Sequence, residues 1–337
     1  MIAGRKHRVV TFGELLMRLS PPDYNCFVQA QQAGIFYGGT EANVAVALAC
    51  MGCETSHVTA LPDDFTGDAA RGHLNRYGVD TSFVIRNAAP LGIYFLEQGI
   101  VHRPGRIVYN RDHSAFSAIV PEVFDWEQIL AGTSWFHWTG ITPAISPGAA
   151  AALKQALKEA RNRGITVSTD PVYRSNLWKY DTDPAATLRE MVALSSVFMG
   201  GPAEINMIFG TSFEDEHFTD AAKFLMEECP GIKSVTQKTR SSVNASCHKI
   251  AARCWDGKEL YVTEAVEITP VVDRIGTGDA FAAGLIYGML HDNIRGALEF
   301  ANATSVLKHT VPGDACLLSA GAITAVIRSR FSGRIIR

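Results

Sequence analysis

The 337-residue chain contains no apolar run approaching the ~20 residues that cross a bilayer. Its basic first residues, MIAGRKHRVVTFGELLMRL, lack the apolar stretch and small-residue cleavage site of a secretory leader. Net charge is only −3, which excludes bulk attraction to nucleic acid or to an anionic membrane. The seven cysteines (Cys26, Cys50, Cys53, Cys229, Cys247, Cys254 and Cys316) form an odd, scattered set, not a disulfide framework. Cys50 and Cys53 make one CxxC inside an alanine-rich helical pattern with no second pair. Buried helix cysteines are the simpler reading there than a metal or redox site. No GxxxxGK[ST] occurs, which excludes a P-loop enzyme, and no GxGxxG follows the first strand, which argues against a nicotinamide dehydrogenase. No linker, repeat or low-complexity segment divides the chain. A single domain over 1–337, cytoplasmic and free of membrane, is the expectation.

With 47% hydrophobic residues, the chain can bury a large core. HRVVTFGELL (7–16) reads as a first buried strand, EANVAVALACMG (41–52) as a helix stopped by glycine, TSHVTALP (55–62) as a strand and DDFTGDAARGHLNRYGV (63–79) as a helix. GTSWFHWTG (132–140) is a further strand, and SPGAAAALKQALKEARNRGITVSTDP (146–171) is helix, glycine, strand. Such alternation predicts an α/β fold with a mainly parallel sheet and helices on both faces. Residues 18–38 and 90–112 break the pattern with extended chain and turns. In RIVYNRD, alternation puts Ile107, Tyr109 and Arg111 on one side of a strand. A tyrosine and an arginine so placed suit a lid over a polar ligand, or equally an ordinary solvated edge strand.

One stretch concentrates glycine and aspartate before a helix: ELYVTEAVEITPVVDRIGTGDAFAAG, read as strand, glycine turn, helix. Ligands of open α/β sheets bind beyond the carboxyl ends of strands, where free N–H groups at a helix mouth favour an anion. The N–H groups of Gly276, Thr277, Gly278 and Asp279 could cradle a phosphoryl group, and the Asp279 carboxylate could accept a proton from an attacking hydroxyl. The same turn could merely cap a helix.

DRIGTGDAFAAG resembles the C-terminal DTxGAGD signature of the ribokinase-like (PfkB) sugar kinases, and YGGTEANVAVALACMG (37–52) resembles that family's N-terminal GG-x-x-x-N-x-A signature. Two signatures in the expected order are more specific than either alone. The stretches FGELLMRL, QAGIFYGGTEANVA, LGIYFLE, GRIVYNRDHSAFS, DPVYRSNLW and KHTVPGD look most like the 2-keto-3-deoxygluconate kinase branch.

The resemblance implies a three-layer α/β/α fold with a small β lid from about 18–38 and 90–112. It implies ATP-dependent phosphorylation of the sugar acid to its 6-phosphate, with Mg²⁺, in a dimer or higher homo-oligomer. It places Gly34, Gly38, Gly39 and Asn43 at the sugar acid, Tyr94 and Tyr109 in the lid, and Arg111 and Arg174 at the polar and carboxylate end. A guanidinium fork matches a carboxylate, which favours an acid over a neutral sugar. Asp279 would be the base. Thr236, Lys238, Arg240 and Asn302 would lie along the nucleotide with Gly276 and Gly278, and Glu204 near the metal.

The chain departs from the pattern in VFMGGPAEINMIFG (197–210), where Gly201 stands in place of the asparagine of N-x-x-E and Pro202 follows it. Altered Mg²⁺ handling or reduced activity would follow. Arg274 replaces a common threonine, Thr277 an alanine or glycine, and Pro171 and Val172 alter the sugar-side segment. A kinase for a neutral ketose such as fructose, or for the galactonate epimer, and a catalytically weak sugar-acid binder remain as alternatives.

Overall fold

The computed structural model describes residues 7–333. In chain order the strands are β1 (Arg8–Phe12), β2 (Leu16–Ser20), β3 (Gly34–Gly38), β4 (Glu54–Val58), β5 (Ala60–Pro62), β6 (Ile85–Asn87), β7 (Ile93–Glu97), β8 (Arg106–Asn110), β9 (Trp135–Thr139), β10 (Thr166–Asp170), β11 (Val197–Met199), β12 (Ser234–Asn244), β13 (Cys247–Trp255), β14 (Leu260–Val262) and β15 (Val266–Ile268). The large sheet runs β14-β13-β12-β11-β10-β9-β1-β4, with β15 also on β13. From β4 to β12 every pairing in it is parallel; β13, β14 and β15 add antiparallel edges.

Both faces of this sheet are covered. Along β1, Val10 and Phe12 enter a core with Trp126, Phe136 and Trp138, while Val9 enters the opposite core with Val44, Leu48, Trp135 and Phe281. Period-two alternation with apolar residues at both phases is what a parallel strand buried on two sides requires. The helix Pro147–Asn162 shows the matching helical signal. Ser146 caps it through the Ala149 N–H, and Ala149, Ala152, Leu153, Ala156, Leu157 and Ala160 form its buried stripe. The three-layer α/β/α expectation is what the chain adopts.

The alanine and glycine run after the glycine turn forms the helix Thr277–His291. Its small residues let the helix Ile294–Lys308 approach closely: a Cβ on Gly288 would lie 2.4 Å from the Ala297 Cα, and one on Gly284 2.8 Å from the Ala301 Cα. Among the described residues no helix is long and apolar enough to cross a membrane.

The two segments that broke the pattern supply a separate four-stranded sheet, β3-β2-β7-β8. Its Leu16, Tyr94 and Tyr109 share a cleft with Asp170, at the carboxyl end of β10, and Ile141, just beyond β9. Two local expectations need correction. TSHVTALP is two strands: β4 stays in the large sheet, whereas β5 leaves it to pair with β6. The strand residues before the glycine turn form only the short edge strands β14 and β15, so the turn is reached from the sheet's antiparallel rim.

Candidate active site

A cleft of about 430 Å³ opens between the small sheet and the carboxyl ends of β1, β9 and β10. The turn Arg274–Asp279 and Arg174 both line it. Gly276 caps the helix Thr277–His291 with φ 74°, a left-handed conformation that favours glycine. A Cβ there would also stand 1.7 Å from the Asp314 carbonyl oxygen, so both conformation and space demand glycine. No side chain caps this helix end. Its first-turn N–H groups therefore face the cleft in the manner of an anion site.

Asp279 sits on that first turn and accepts a hydrogen bond from Asn43 Nδ2 at 2.6 Å. Burial pushes its carboxyl up to about 7; the charges of Asp170, Glu41 and Asp314 add to the rise, and the Asn43 bond opposes it. Asn43 is on the helix Thr40–Met51, reached through the tight Gly38–Gly39 turn. A Cβ on Gly38 would lie 2.2 Å from Asp314 Oδ2, and one on Gly39 1.9 Å from the Glu14 carbonyl oxygen. The glycine pair is thus what lets Asn43 reach Asp279.

Lys238, on β12, lines the cleft with its Nζ 3.4 Å from Thr277 Oγ1. Burial draws its ammonium down to about 8, helped by Arg240 and opposed by Asp170 and Asp279. Asp170 ends β10, and burial together with the Glu204 charge pushes it up to about 7. Both residues also line an adjoining cavity of about 150 Å³ with Glu204, Thr236 and Gly278. Glu204 Oε2 accepts the Gly201 N–H at 2.8 Å. A side chain at 201 would meet Gln237, whose Cδ lies 2.3 Å from an added Cβ. The Gln237 amide occupies the space that a side chain at 201 would enter.

From the small sheet come Tyr94, Ile107, Tyr109 and Arg111. Tyr94 is buried and its hydroxyl donates to Asp314. Its ring centroid is 5.5 Å from that of Tyr109, and the Arg111 guanidinium lies 5.6 Å from the Tyr109 centroid. Arg111 is not a free cation, because it is ion-paired with buried Glu14, which also accepts the Ser114 hydroxyl. Arg174 is exposed and, among the described residues, donates only a 3.4 Å bond to the Tyr173 carbonyl, so it is the freer guanidinium.

The structure therefore gathers Gly38, Gly39, Asn43, Tyr94, Tyr109, Arg111, Arg174, Lys238, Arg240, Gly276, Thr277, Gly278 and Asp279 around one cleft. Four expected residues lie off it, among them Glu204, which lines the smaller cavity. Gly34 pairs with Ser20 at the start of β3; Asn302 is buried and donates to the Glu264 carbonyl at 3.4 Å; Thr236 faces the smaller cavity and bonds Cys254 Sγ at 3.3 Å. Sequence reasoning missed Glu14, Glu41, Asp170 and Asp314. Glu41 is buried and accepts the Thr139 N–H at 3.0 Å and the Thr139 and Thr142 hydroxyls at 2.7 Å, tying the helix mouth to β9. Its signal was an acidic residue in the first turn of a helix that runs on in alanine and valine. Among the described residues, no group of three or more His, Cys, Asp or Glu side chains is placed to hold a metal ion, the CxxC included.

Converging N–H groups, a poised carboxylate and a sheltered cleft suit phosphoryl transfer to an alcohol. Comparison with known proteins agrees. The model of the pfkB family carbohydrate kinases matches residues 6–319, and the chain belongs to that family. It is similar to a solved 2-dehydro-3-deoxygluconokinase of Thermotoga maritima, with TM-score 0.91 and 39% identity, covering 96% of this chain and 99% of that one. The 2-dehydro-3-deoxygalactonokinase of Haloferax volcanii is 28% identical over 326 residues, 96% of this chain and 98% of its own. The 2-dehydro-3-deoxygluconokinase of Bacillus subtilis is 28% identical over 310 residues, 90% of each.

Proposed function

We propose that this carbohydrate kinase transfers the γ-phosphoryl group of ATP to the terminal hydroxyl of 2-keto-3-deoxygluconate (2-dehydro-3-deoxygluconate), giving the 6-phosphate. The observation that carries the reading is Asp279, held by Asn43 beside the N–H groups of the glycine turn. The names of the Thermotoga and Bacillus relatives support the choice of sugar acid.

Asp279 accepts the proton as the hydroxyl attacks. The N–H groups of Thr277, Gly278 and Asp279 stabilise the charge on the moving phosphoryl, and Lys238 lies close enough to share it. Arg240 and Arg274 line the cleft near each other and suit the rest of the triphosphate. Arg174 meets the substrate carboxylate. Arg111 contributes through its Nε, which has no partner among the described residues while Glu14 holds its Nη2. The small sheet acts as the lid, excluding water from the transfer.

Asp170 and Glu204 fit Mg²⁺ as the carboxylates of a cation held mostly by phosphate and water, which suits a site with too few ligands for an all-protein cage. The ion would supply charge neutralisation on the triphosphate. The exposed edge strand β8, with Ile107, Val108 and Tyr109 on its surface, suits the homo-oligomer, which size-exclusion chromatography with light scattering tests.

The Haloferax relative favours a second reading in which the galactonate epimer is the substrate. An ADP-release screen over both keto-deoxy acids and neutral ketoses decides. The gluconate-derived acid is expected to give the highest kcat/KM. A preference for fructose would overturn the sugar-acid assignment, and a preference for the epimer would select the second reading.

A further inference from the structure

The most heavily buried charges outside the reacting groups lie under the lid. Arg18 occupies the middle of β2, at a buried phase of the strand, and its side chain is 0% exposed. Its Nη1 lies 2.8 Å from Asp273 Oδ2 and 2.8 Å from Asp314 Oδ1. Burial alone would favour the neutral arginine, but the two carboxylates outweigh it and hold the guanidinium charged. Phe36 of β3 stacks on it with its ring centroid 4.8 Å from Cζ.

Both acids touch the catalytic turn. Asp273 Oδ1 accepts the Ile275 N–H at 3.0 Å, and its Oδ2 accepts the Gly313 N–H at 3.1 Å and Gln98 Nε2 at 3.2 Å. Asp314 packs its carbonyl against Gly276 so closely that no Cβ fits between them. Its carboxylate takes the Tyr94 hydroxyl, while the Tyr94 ring lines the cleft. Thus β2 and β7 of the lid sheet and the two loops that shape the turn share one buried ionic cluster. An ion pair this dry is costly to assemble and rigid once made, because each partner left alone would be a buried charge.

We propose that Arg18 is a positioning residue for phosphoryl transfer: through Asp273 and Asp314 it locks the Arg274–Asp279 turn to the lid sheet, so that a sugar seated under the lid completes the phosphate site. The inference rests on the kinase reading but not on the choice of sugar. Sugar contacts with Tyr94 and Tyr109 hold the lid strands in register. The cluster passes that register to Gly276 and the N–H groups that follow it. Nucleotide and sugar then bind with positive coupling, which by linkage is reciprocal.

The test uses the full chain and whichever carbohydrate the wild-type enzyme turns over fastest, so a wrong sugar assignment would be seen first and separately. The Kd of Mg²⁺ with a non-hydrolysable ATP analogue is measured with and without that sugar. Wild type is expected to show coupling of about 5- to 150-fold. Arg18→Met should bring the coupling close to one-fold and lower kcat by roughly 10²-fold, the scale of a small misplacement of reacting groups. Arg18→Lys, which keeps the charge between the two acids, should restore most of both. If Arg18→Met does not fold, Asp314→Asn, which leaves Arg18 paired with Asp273, is read in its place and should lose the coupling as well. Wild-type coupling and kcat in a folded Arg18→Met or Asp314→Asn enzyme, or no coupling in the wild type, would overturn the proposal.

Discussion

At the residue scale, the site works by setting where carboxylates hold their protons. Asp279 must be ionised to accept a proton, and burial lifts its carboxyl to about 7. Activity is therefore expected to fall as pH drops through about 7, far above the ordinary aspartate value of 3.8. The Asn43 bond favours the ionised form, so removing it should raise the carboxyl further. Asn43→Ala should shift the acid limb of the kcat/KM profile to higher pH; a shift to lower pH would contradict the role given to that bond. Arg174→Ala tests the carboxylate contact. Selectivity for a keto-deoxy acid over a neutral ketose should shrink by ~10-fold or more, the worth of one charged hydrogen bond of about 1.5–3 kcal/mol. Unchanged selectivity would assign the carboxylate elsewhere. Asp279 and its glycines stood out as candidates because they lie within one contiguous stretch, although that stretch alone read equally as a helix cap and gained weight only beside the N-terminal signature. The Glu14–Arg111 and Arg18–Asp314 pairs were not legible, since each joins residues distant in sequence that only the fold brings together.

At the scale of elements, small residues decide how closely backbones approach. Gly288 faces Ala297, so Gly288→Leu is expected to destabilise by roughly 1–3 kcal/mol, read by chemical denaturation. Equal stability would mean that the two helices can separate without cost. Gly201 and Gln237 form a second such pair. Gly201→Asn alone should lose stability, and Gly201→Asn with Gln237→Ala should recover most of it, since the smaller side chain frees the space. Strict additivity of the two changes would refute the compensation. Element type was readable from periodicity, as in the helix Pro147–Asn162, whose alanine and leucine stripe repeats at three and four. The break between β4 and β5 was not, because no glycine or turn residue separates the halves and only their partners, β1 and β6, pull them into different sheets.

At the scale of the molecule, strands alternating with helices sufficed to foresee a parallel sheet with two covered faces. The two segments that interrupted the alternation became the second sheet. Their extended character was legible in the residues themselves, whereas their union in one lid came only from the family resemblance, because β2 joins β7 in parallel across a long intervening stretch. The fold brings an N-terminal helix mouth and a C-terminal helix mouth to one cleft, Asn43 against Asp279. That meeting point is the central claim, and Asp279→Asn tests it most directly. Single-turnover phosphorylation by the folded variant should fall by on the order of 10²–10⁴, with sugar and nucleotide binding retained. Phosphorylation at the wild-type rate would show that another group removes the proton.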